Sequence, residues 1–337
     1  MVEQTPQTEA SAQWIVEDLW AAREAQVLIA GTELDVFTHI FRGARSAEEV
    51  ATAIGAPIRG VERLLDALVG IEYLDKQDGH YTLSSLADKL LVRDKDTYVG
   101  EMVQEMKLLW NSWSNLTEVI RTGEPVQPWD DEETGRRLFP SLVRALFPMS
   151  WGSARAAAAV ALEADDRVER ILDVAAGSGV WSIAFAQQAP RARVTTVDYS
   201  EVTPLTREFA ERYGVVDRFD HIEGNLRDID FGAESYDLAI LGYILQTEGE
   251  DRSRDLLEKC HRALRPGGRL LIAEMIPDDD RTGPAAPLVY AMDMVLYTEH
   301  GDVFTMTQYR DWLHTAGFRR VETIDIPAPW PLVLATK

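Results

Sequence analysis

Ile171-Leu172-Asp173-Val174-Ala175-Ala176-Gly177-Ser178-Gly179-Val180-Trp181-Ser182 is the stretch from which the fold can be worked out. Arg170 to Val174 is apolar enough for a buried strand, and Ile183, Ala184, Phe185 and Ala186 continue at helical spacing after the glycines. A strand, a glycine turn and a helix in that order bring backbone N–H groups and a helix N-terminus to one point. A nucleotide-like ligand can approach such a point closely.

Two cofactors compete for the turn. The dinucleotide fingerprint G-x-G-x-x-G/A finds Gly177 and Gly179 but meets Ser182 at its third small position. The S-adenosylmethionine loop, an acidic strand residue followed by a glycine-rich turn, accommodates Asp173, Gly177 and Gly179, with Ala175 in place of its first glycine. Ala192 to Asp198 reads as the next strand, and a carboxylate at its end can accept both hydroxyls of a ribose. Both cofactors carry that ribose, so Asp198 points to a nucleoside without choosing between them. The bland alternative is a tight strand-to-helix turn that binds nothing.

Composition narrows the class. The 337 residues are enough for two domains, and no apolar run approaches a membrane span. Met1 to Pro6 is acidic and polar, unlike a signal peptide. Cys260 is the one cysteine, which fits a reducing cytoplasm, and the six histidines are scattered, so no structural metal is expected. A net charge of −22 argues against nucleic acid or an anionic membrane as partner.

In chain order, the first dozen residues read as unstructured. Trp14, Ile15, Leu19, Trp20, Val27 and Leu28 then mark a helix expected to break at Gly31-Thr32, with a short apolar helix resuming at Leu34. Ser46-Ala47-Glu48-Glu49 is a capping box, Val61, Leu64, Leu65 and Leu68 share one helix face, and Asp78-Gly79 sits in a hairpin from Tyr73 to Leu83. Helix, helix, hairpin is a winged helix. Its acidic residues Glu62, Asp66, Asp75 and Asp78 oppose a DNA-binding role and leave dimerisation through the apolar first helix. Tyr98 to Val119 reads as one helix carrying Met102, Met106, Leu109, Trp110 and Trp113, either core or the lining of an apolar substrate pocket. Leu138 to Leu162 reads as a long helix, kinked at Pro148, that links two domains.

From Val168 strands and helices alternate as in a doubly wound sheet. Strands are expected at Phe219 to Glu223, Tyr236 to Gly242 and Arg269 to Met275, and helices at Glu201 to Tyr213, Asp251 to Leu264 and Thr307 to Ala316. Arg320 to Ile324 and Leu332 to Thr336 have no helix between them, so they pair antiparallel.

The ordered set Asp173-x-x-x-Gly177-x-Gly179, Val197-Asp198, Gly224-Asn225, Tyr236-Asp237-Leu238 and Leu264-Arg265-Pro266-Gly267-Gly268 resembles class I S-adenosylmethionine-dependent methyltransferases, in the two-domain form of small-molecule O-methyltransferases. The resemblance covers nearly the whole chain. It implies a Rossmann-like α/β fold, a doubly wound seven-stranded sheet with an antiparallel last strand preceded by a mostly helical winged-helix domain. The implied division is 1–95 for dimerisation, 96–165 for a helical linker and substrate lid, and 166–337 for S-adenosylmethionine. It also implies a homodimer and a cofactor set of Asp173, Ala175, Gly177, Gly179, Asp198, Tyr199, Asn225, Leu226, Gly242 and Tyr243. Asp198 would hold the ribose, and Asn225, where the family has Asp, would take the adenine amine through its side-chain oxygen.

One departure bears on chemistry. The family's catalytic histidine follows the fourth strand, and this chain has Gln246 there, which cannot take a proton. Surviving routes are attack by an acidic oxygen, attack by an activated carbon or nitrogen, and a use of the fold without methylation. Tyr243, Gln246 and His300 are the catalytic candidates, with Glu248 as a further polar group near them. Met106, Trp110, Trp113, Met149, Met292 and Asp293 are the substrate candidates, Asp293 being the only charge between Leu288 and Leu296. The reading is a cytoplasmic, homodimeric methyltransferase for an apolar, aromatic small molecule. A nicotinamide-dependent oxidoreductase and a winged-helix regulator are the alternatives.

Overall fold

The computed structural model describes residues 12–95, 97–126, 128–129, 131–164, 167–326 and 331–337. The chain separates into two compact units, Met1–Leu108 and Leu109–Lys337. The sequence reading of the first dozen residues falls, apart from Ala12, outside the described residues.

The first unit contains the winged helix. Ser46 accepts the Glu49 N–H at 3.2 Å while the Glu49 carboxylate accepts the Ser46 N–H at 3.0 Å, so the capping box closes at the start of helix Ala47–Ile54. Helix Ile58–Gly70 buries Val61, Leu65 and Leu68, and strands β1 (Leu74–Gln77) and β2 (His80–Leu83) pair antiparallel around Asp78 and Gly79, both at positive φ as a two-residue hairpin requires. Val36, Phe37, Val50, Leu68, Leu74 and Tyr81 join in the core of this unit.

Two helix boundaries differ from the sequence reading. The first helix does not break at Gly31-Thr32 but runs Ala12–Glu33, because Thr32 returns its hydroxyl to the Leu28 carbonyl at 2.9 Å. Gly31 serves packing there, since a Cβ on it would lie 3.0 Å from Leu68 Cδ1. The helix expected from Tyr98 to Val119 is two, Gly100–Trp113 and Leu116–Thr122. The side chains of Ser114 and Asn115 both bond to the Asn111 carbonyl, at 2.6 and 2.7 Å, and so compete with the helical ladder at that point.

The second unit is built on a seven-stranded sheet of β3 (Arg170–Val174), β4 (Arg193–Asp198), β5 (Phe219–Glu223), β6 (Tyr236–Gly242), β7 (Leu264–Ala273), β8 (Arg320–Ile324) and β9 (Leu332–Thr336). Their order is β5-β4-β3-β6-β7-β9-β8, with β9 antiparallel to both of its neighbours and the other pairs parallel. One face packs Phe147, Ala154, Ala158, Ile183, Phe185 and Phe209 against the sheet, and the other packs Leu256, Leu257, Tyr309, Trp312 and Leu313. This is a Rossmann-like α/β sandwich whose penultimate strand, β9, runs against the others.

Three elements here begin earlier than their periodicity indicated. The long helix starts at Glu132 and runs to Ala164 through Pro140 and Pro148, because Asp131 accepts the Thr134 N–H at 2.9 Å as a cap. The helical stretch Leu245–Ala263 begins before Asp251 and is interrupted at Gly249 (φ 77°, ψ 176°), where a Cβ would lie 2.5 Å from the His300 carbonyl. β7 takes in Arg265 to Gly268, read as a turn, through a register shift between Tyr236 and Leu238.

Candidate active site

Strand order reverses direction about β3, and a cavity of about 1010 Å³, counting its open mouth, lies at the C-terminal ends of the strands there. Ala175 and Gly177 follow β3, Asp198 and Tyr199 close β4, Gly224, Leu226 and Arg227 follow β5, and Gly242, Tyr243 and Ile244 follow β6. Trp129 and the long helix supply the opposite wall, through Phe139, Val143, Leu146 and Ser150.

Backbone conformation shapes the loop. Ala175, Gly177 and Gly179 all have positive φ, 54°, 56° and 71°. Ala175 holds a conformation that costs an L-residue roughly 1–2 kcal/mol, and its N–H donates to the Val197 carbonyl at 2.9 Å. Gly179 points away from the cavity, where a Cβ would meet Thr206 Cγ2 at 3.0 Å, and the Thr206 hydroxyl donates to the Gly177 carbonyl at 2.6 Å.

Asp198 is the carboxylate of the site. Its Oδ2 accepts the Gly177 N–H and its Oδ1 the Tyr199 N–H, each at 2.8 Å. Burial pushes its carboxyl up to about 6, against the opposing pull of those two bonds. Asp173 lies behind the loop, 2% exposed, and receives the Ser182 hydroxyl at 2.5 Å. Burial, opposed by Ser182, pushes it up to about 7, and the nearby Asp198 adds to the rise. Ser182, the residue that departs from the dinucleotide pattern, is therefore the partner of the strand carboxyl.

Gly242 is a glycine for steric reasons. A Cβ there would stand 2.6 Å from Trp181 Nε1, so the indole lies directly over this backbone and forms part of the cavity wall. Tyr243, at φ 57°, lines the same wall. At another part of the wall Arg227 grips Glu248 through Nε and Nη2, at 2.9 and 3.0 Å. Asn225 does not line the cavity. Its Oδ1 accepts the Arg227 N–H at 3.0 Å and its Nδ2 donates to Glu132 at 3.0 Å.

Gln246 is 1% exposed and is not among the lining residues; its Nε2 donates to the Tyr290 hydroxyl at 3.1 Å. Beside it the buried Glu274 accepts the Leu245 N–H at 2.9 Å, capping the turn that carries Gln246, and burial pushes its carboxyl up to about 8. His300 is exposed at the surface, 3.9 Å from Glu299. Asp293 accepts the Trp113 indole N–H at 2.9 Å, and burial pushes it up to about 6. Met292 is half-buried, Trp110 and Met149 are exposed, and Met106 is an exposed residue of the first unit. None of these four lines the cavity.

Of the expected cofactor residues, Ala175, Gly177, Asp198, Tyr199, Leu226, Gly242 and Tyr243 meet at one cavity. Sequence reasoning missed Trp129, Phe139, Trp181 and Ser150, whereas the stretch Gly224 to Asp228, which carries Arg227, was expected to face this crevice. Trp181 sits inside the quoted loop and could have been found there, whereas Trp129 and Phe139 reach the cavity from a distant segment with no motif.

The residues present suit an S-adenosyl cofactor. Bare backbone at Gly177, one half-buried carboxylate able to accept ribose hydroxyls, and aromatic walls suit such a ligand. No helix of the described residues is long and apolar enough to cross a membrane.

Comparison with known proteins agrees with this geometry. Residues 147–319 match the O-methyltransferase domain and residues 19–93 the O-methyltransferase dimerisation domain. The chain is 32% identical over 323 residues to the 3-hydroxy-5-methyl-1-naphthoate 3-O-methyltransferase of Streptomyces sahachiroi, spanning 92% of this chain and 90% of that one. It is 29% identical over 322 residues to the tetracenomycin polyketide synthesis 8-O-methyl transferase of Streptomyces glaucescens, with 93% of each covered. The structure superposes with a TM-score of 0.88 on a crystal structure described as an O-methyltransferase from Nostoc punctiforme, at 26% identity, covering 98% of this chain and 100% of that one. Human N-acetylserotonin methyltransferase in complex with S-adenosylmethionine shares the fold, with a TM-score of 0.84 at 23% identity over 98% of this chain and 99% of that one. With a half-buried carboxylate and an aromatic-walled cradle at the switch point of a Rossmann-like sheet whose strand β9 is reversed, and a family match across both units, the chain belongs to the O-methyltransferase family and is an S-adenosylmethionine-dependent methyltransferase.

Proposed function

We propose that the enzyme methylates a hydroxylated aromatic small molecule whose acceptor oxygen is already acidic. The observation that carries this reading is the wall of Trp129, Phe139, Trp181 and Tyr243, aromatic faces suited to a flat apolar ligand, beside a position, Gln246, that cannot take a proton. The two Streptomyces relatives, named for O-methylation of a naphthoate and in polyketide synthesis, support the same class.

The bound cofactor supplies a methyl group on a sulfonium. The chain's own contribution is to bind and orient: Asp198 accepts the ribose hydroxyls, Gly177 lets the ligand lie against backbone, Gly242 makes room for the Trp181 indole in the wall, and the aromatic wall excludes water. With Gln246 buried against Tyr290, no base at that position draws the proton, so the acceptor arrives ionised. A relative 25% identical over 342 residues is named L-tyrosine C(3)-methyltransferase, and attack by a ring carbon is the second reading for the same reason.

In this proposal residues 1–95 serve dimerisation, 96–165 provide linker and wall, and 166–337 hold the cofactor. Trp14, Ile15, Leu19 and Trp20 are all more than half exposed on the first helix, which favours a homodimer formed through that face. Leu19→Glu with Trp20→Glu should convert a dimer to a monomer in light scattering; a wild-type monomer would refute the dimer.

The deciding experiment is calorimetric titration with S-adenosylhomocysteine beside a reduced nicotinamide dinucleotide. Binding of the first alone is expected, and Asp198→Ala should weaken it by roughly 1.5–3 kcal/mol, the value of a hydrogen bond to a charged group. Turnover across phenols of falling pKa should then rise with the ionised fraction. A rate indifferent to phenol acidity would sink the acidic-oxygen reading.

A further inference from the structure

A network of polar groups ties the start of the long helix to the opposite wall of the cavity. Glu132 Oε1 accepts Arg136 Nε and Nη2 at 3.0 and 2.9 Å, and Glu132 Oε2 accepts Asn225 Nδ2 at 3.0 Å. Arg136 Nη1 donates to Glu201 Oε2 and Oε1 at 2.9 and 3.2 Å and to Ser200 Oγ at 3.5 Å, and its guanidinium lies 4.8 Å over the Tyr199 ring. Three separate segments, the helix start, the loop after β4 and the loop after β5, are thus joined across the rim. Beneath this network Phe139, one turn further along the helix, stacks 6.5 Å from Tyr199, and Trp129 meets Phe139 edge-on at 6.5 Å. Trp129, Phe139 and Tyr199 all line the cavity.

The chemistry of Asn225 fits this network better than it fits an adenine amine. Its oxygen already holds the Arg227 N–H, and its nitrogen is a donor facing the Glu132 carboxylate. An aspartate at 225 would set one carboxylate oxygen 3.0 Å from another, where the amide now supplies the complementary N–H. The network groups are partly exposed, at 32–45% for Arg136, Glu132 and Glu201, so water and ions can replace their bonds when the rim opens, while the aromatic wall they draw down is apolar.

We propose that Glu132 and Arg136 form a strap that closes over bound S-adenosylmethionine, and that Asn225 is its anchor and not a ligand of the adenine. The strap makes cofactor exchange depend on breaking polar bonds at the rim, as lids do in other enzymes. It rests on the cofactor reading of this cavity, and Glu132, Arg136 and Asn225 act as positioning residues through the wall they hold.

The test is stopped-flow dissociation of S-adenosylhomocysteine, followed by the fluorescence of Trp129 and Trp181. Asn225→Asp keeps the acceptor for the Arg227 N–H and should speed dissociation on the order of tenfold by placing like charges together. Adding Glu132→Gln to it restores a donor and acceptor pair, and should bring the rate back to within about twofold of wild type. Thermal unfolding without ligand, unchanged in both variants, separates a strap from a folding defect. An Asn225→Asp protein that releases ligand no faster, or a double variant that is not restored, overturns the strap while leaving the cofactor reading intact. A wild-type protein that binds no S-adenosylhomocysteine overturns the cofactor reading itself, and the strap with it.

Discussion

The indole nitrogen of Trp113 donates to Oδ1 of Asp293 at 2.9 Å, joining the segment after Leu109 to the helix Ala285–Tyr297. Burial holds the Asp293 carboxyl at about 6, above its ordinary 3.8, with the indole bond opposing. A carboxyl raised on folding binds its proton more tightly in the native state, so its contribution to stability is greatest below about pH 4 and is lost as pH rises through about 6. Asp293→Asn keeps the acceptor for Trp113 and removes the titration. Its stability relative to wild type should climb between pH 4 and 6 and then level off at no more than roughly 3 kcal/mol. Urea unfolding at several pH values measures this, and a difference independent of pH would contradict it.

Ala175 stands at φ 54° in the loop after β3. Ala175→Gly should relieve the left-handed strain while adding unfolded-state freedom, for a net gain of roughly 0.5–1 kcal/mol. Chemical denaturation reads the change; a loss of stability would mean that the Ala175 methyl packs better than its backbone geometry implies.

Gly242 has no room for a side chain under Trp181. Gly242→Ala should push the indole off the wall, cost roughly 1–3 kcal/mol in stability, and shift the Trp181 emission. S-adenosylhomocysteine affinity should fall with it. Unchanged affinity alongside a shifted emission would take Trp181 out of the binding wall.

Glu274 caps Leu245, and its Oε2 has no partner among the described residues. Because burial raises this carboxyl from 4.5 to about 8, its stabilising contribution is lost as pH climbs across that interval. Wild type should therefore melt at a lower temperature at pH 8.5 than at pH 7, and Glu274→Gln, which keeps an oxygen for Leu245, should fall less. Parallel melting curves for the two proteins would show that Glu274 is not the group responsible.

Much of this was legible in the amino-acid sequence because the second unit obeys local rules. β5, β6, β8 and β9 begin and end where apolar runs and turn residues place them, and the glycine loop and Asp198 mark the ligand edge of the sheet. What could not be read depended on groups distant in the chain. Gly31 is kept in its helix by Leu68, Gly249 is required by the His300 carbonyl, and Trp129 and Phe139 reach the cavity from a segment without any motif. The stripe of Met106, Trp110 and Trp113 had helical spacing, which places residues on a face but does not say what the face meets. Asn225 is the subtler case: its motif position was plain, whereas its partner, Glu132, is 93 residues away.

The position of β9 has a consequence for biosynthesis. Among the strands of the described residues β9 is translated last, yet it stands inside the sheet between β7 and β8. Until Leu332–Thr336 has left the ribosome, β8 has nothing to pair with, and β7 presents a bare hydrogen-bonding edge to every other chain in the cell. A ribosome that stalls shortly before Leu332 would therefore release not a slightly shortened enzyme but a chain in which β7 is bare along one edge and β8 has no partner, fit for aggregation or for capture by a chaperone.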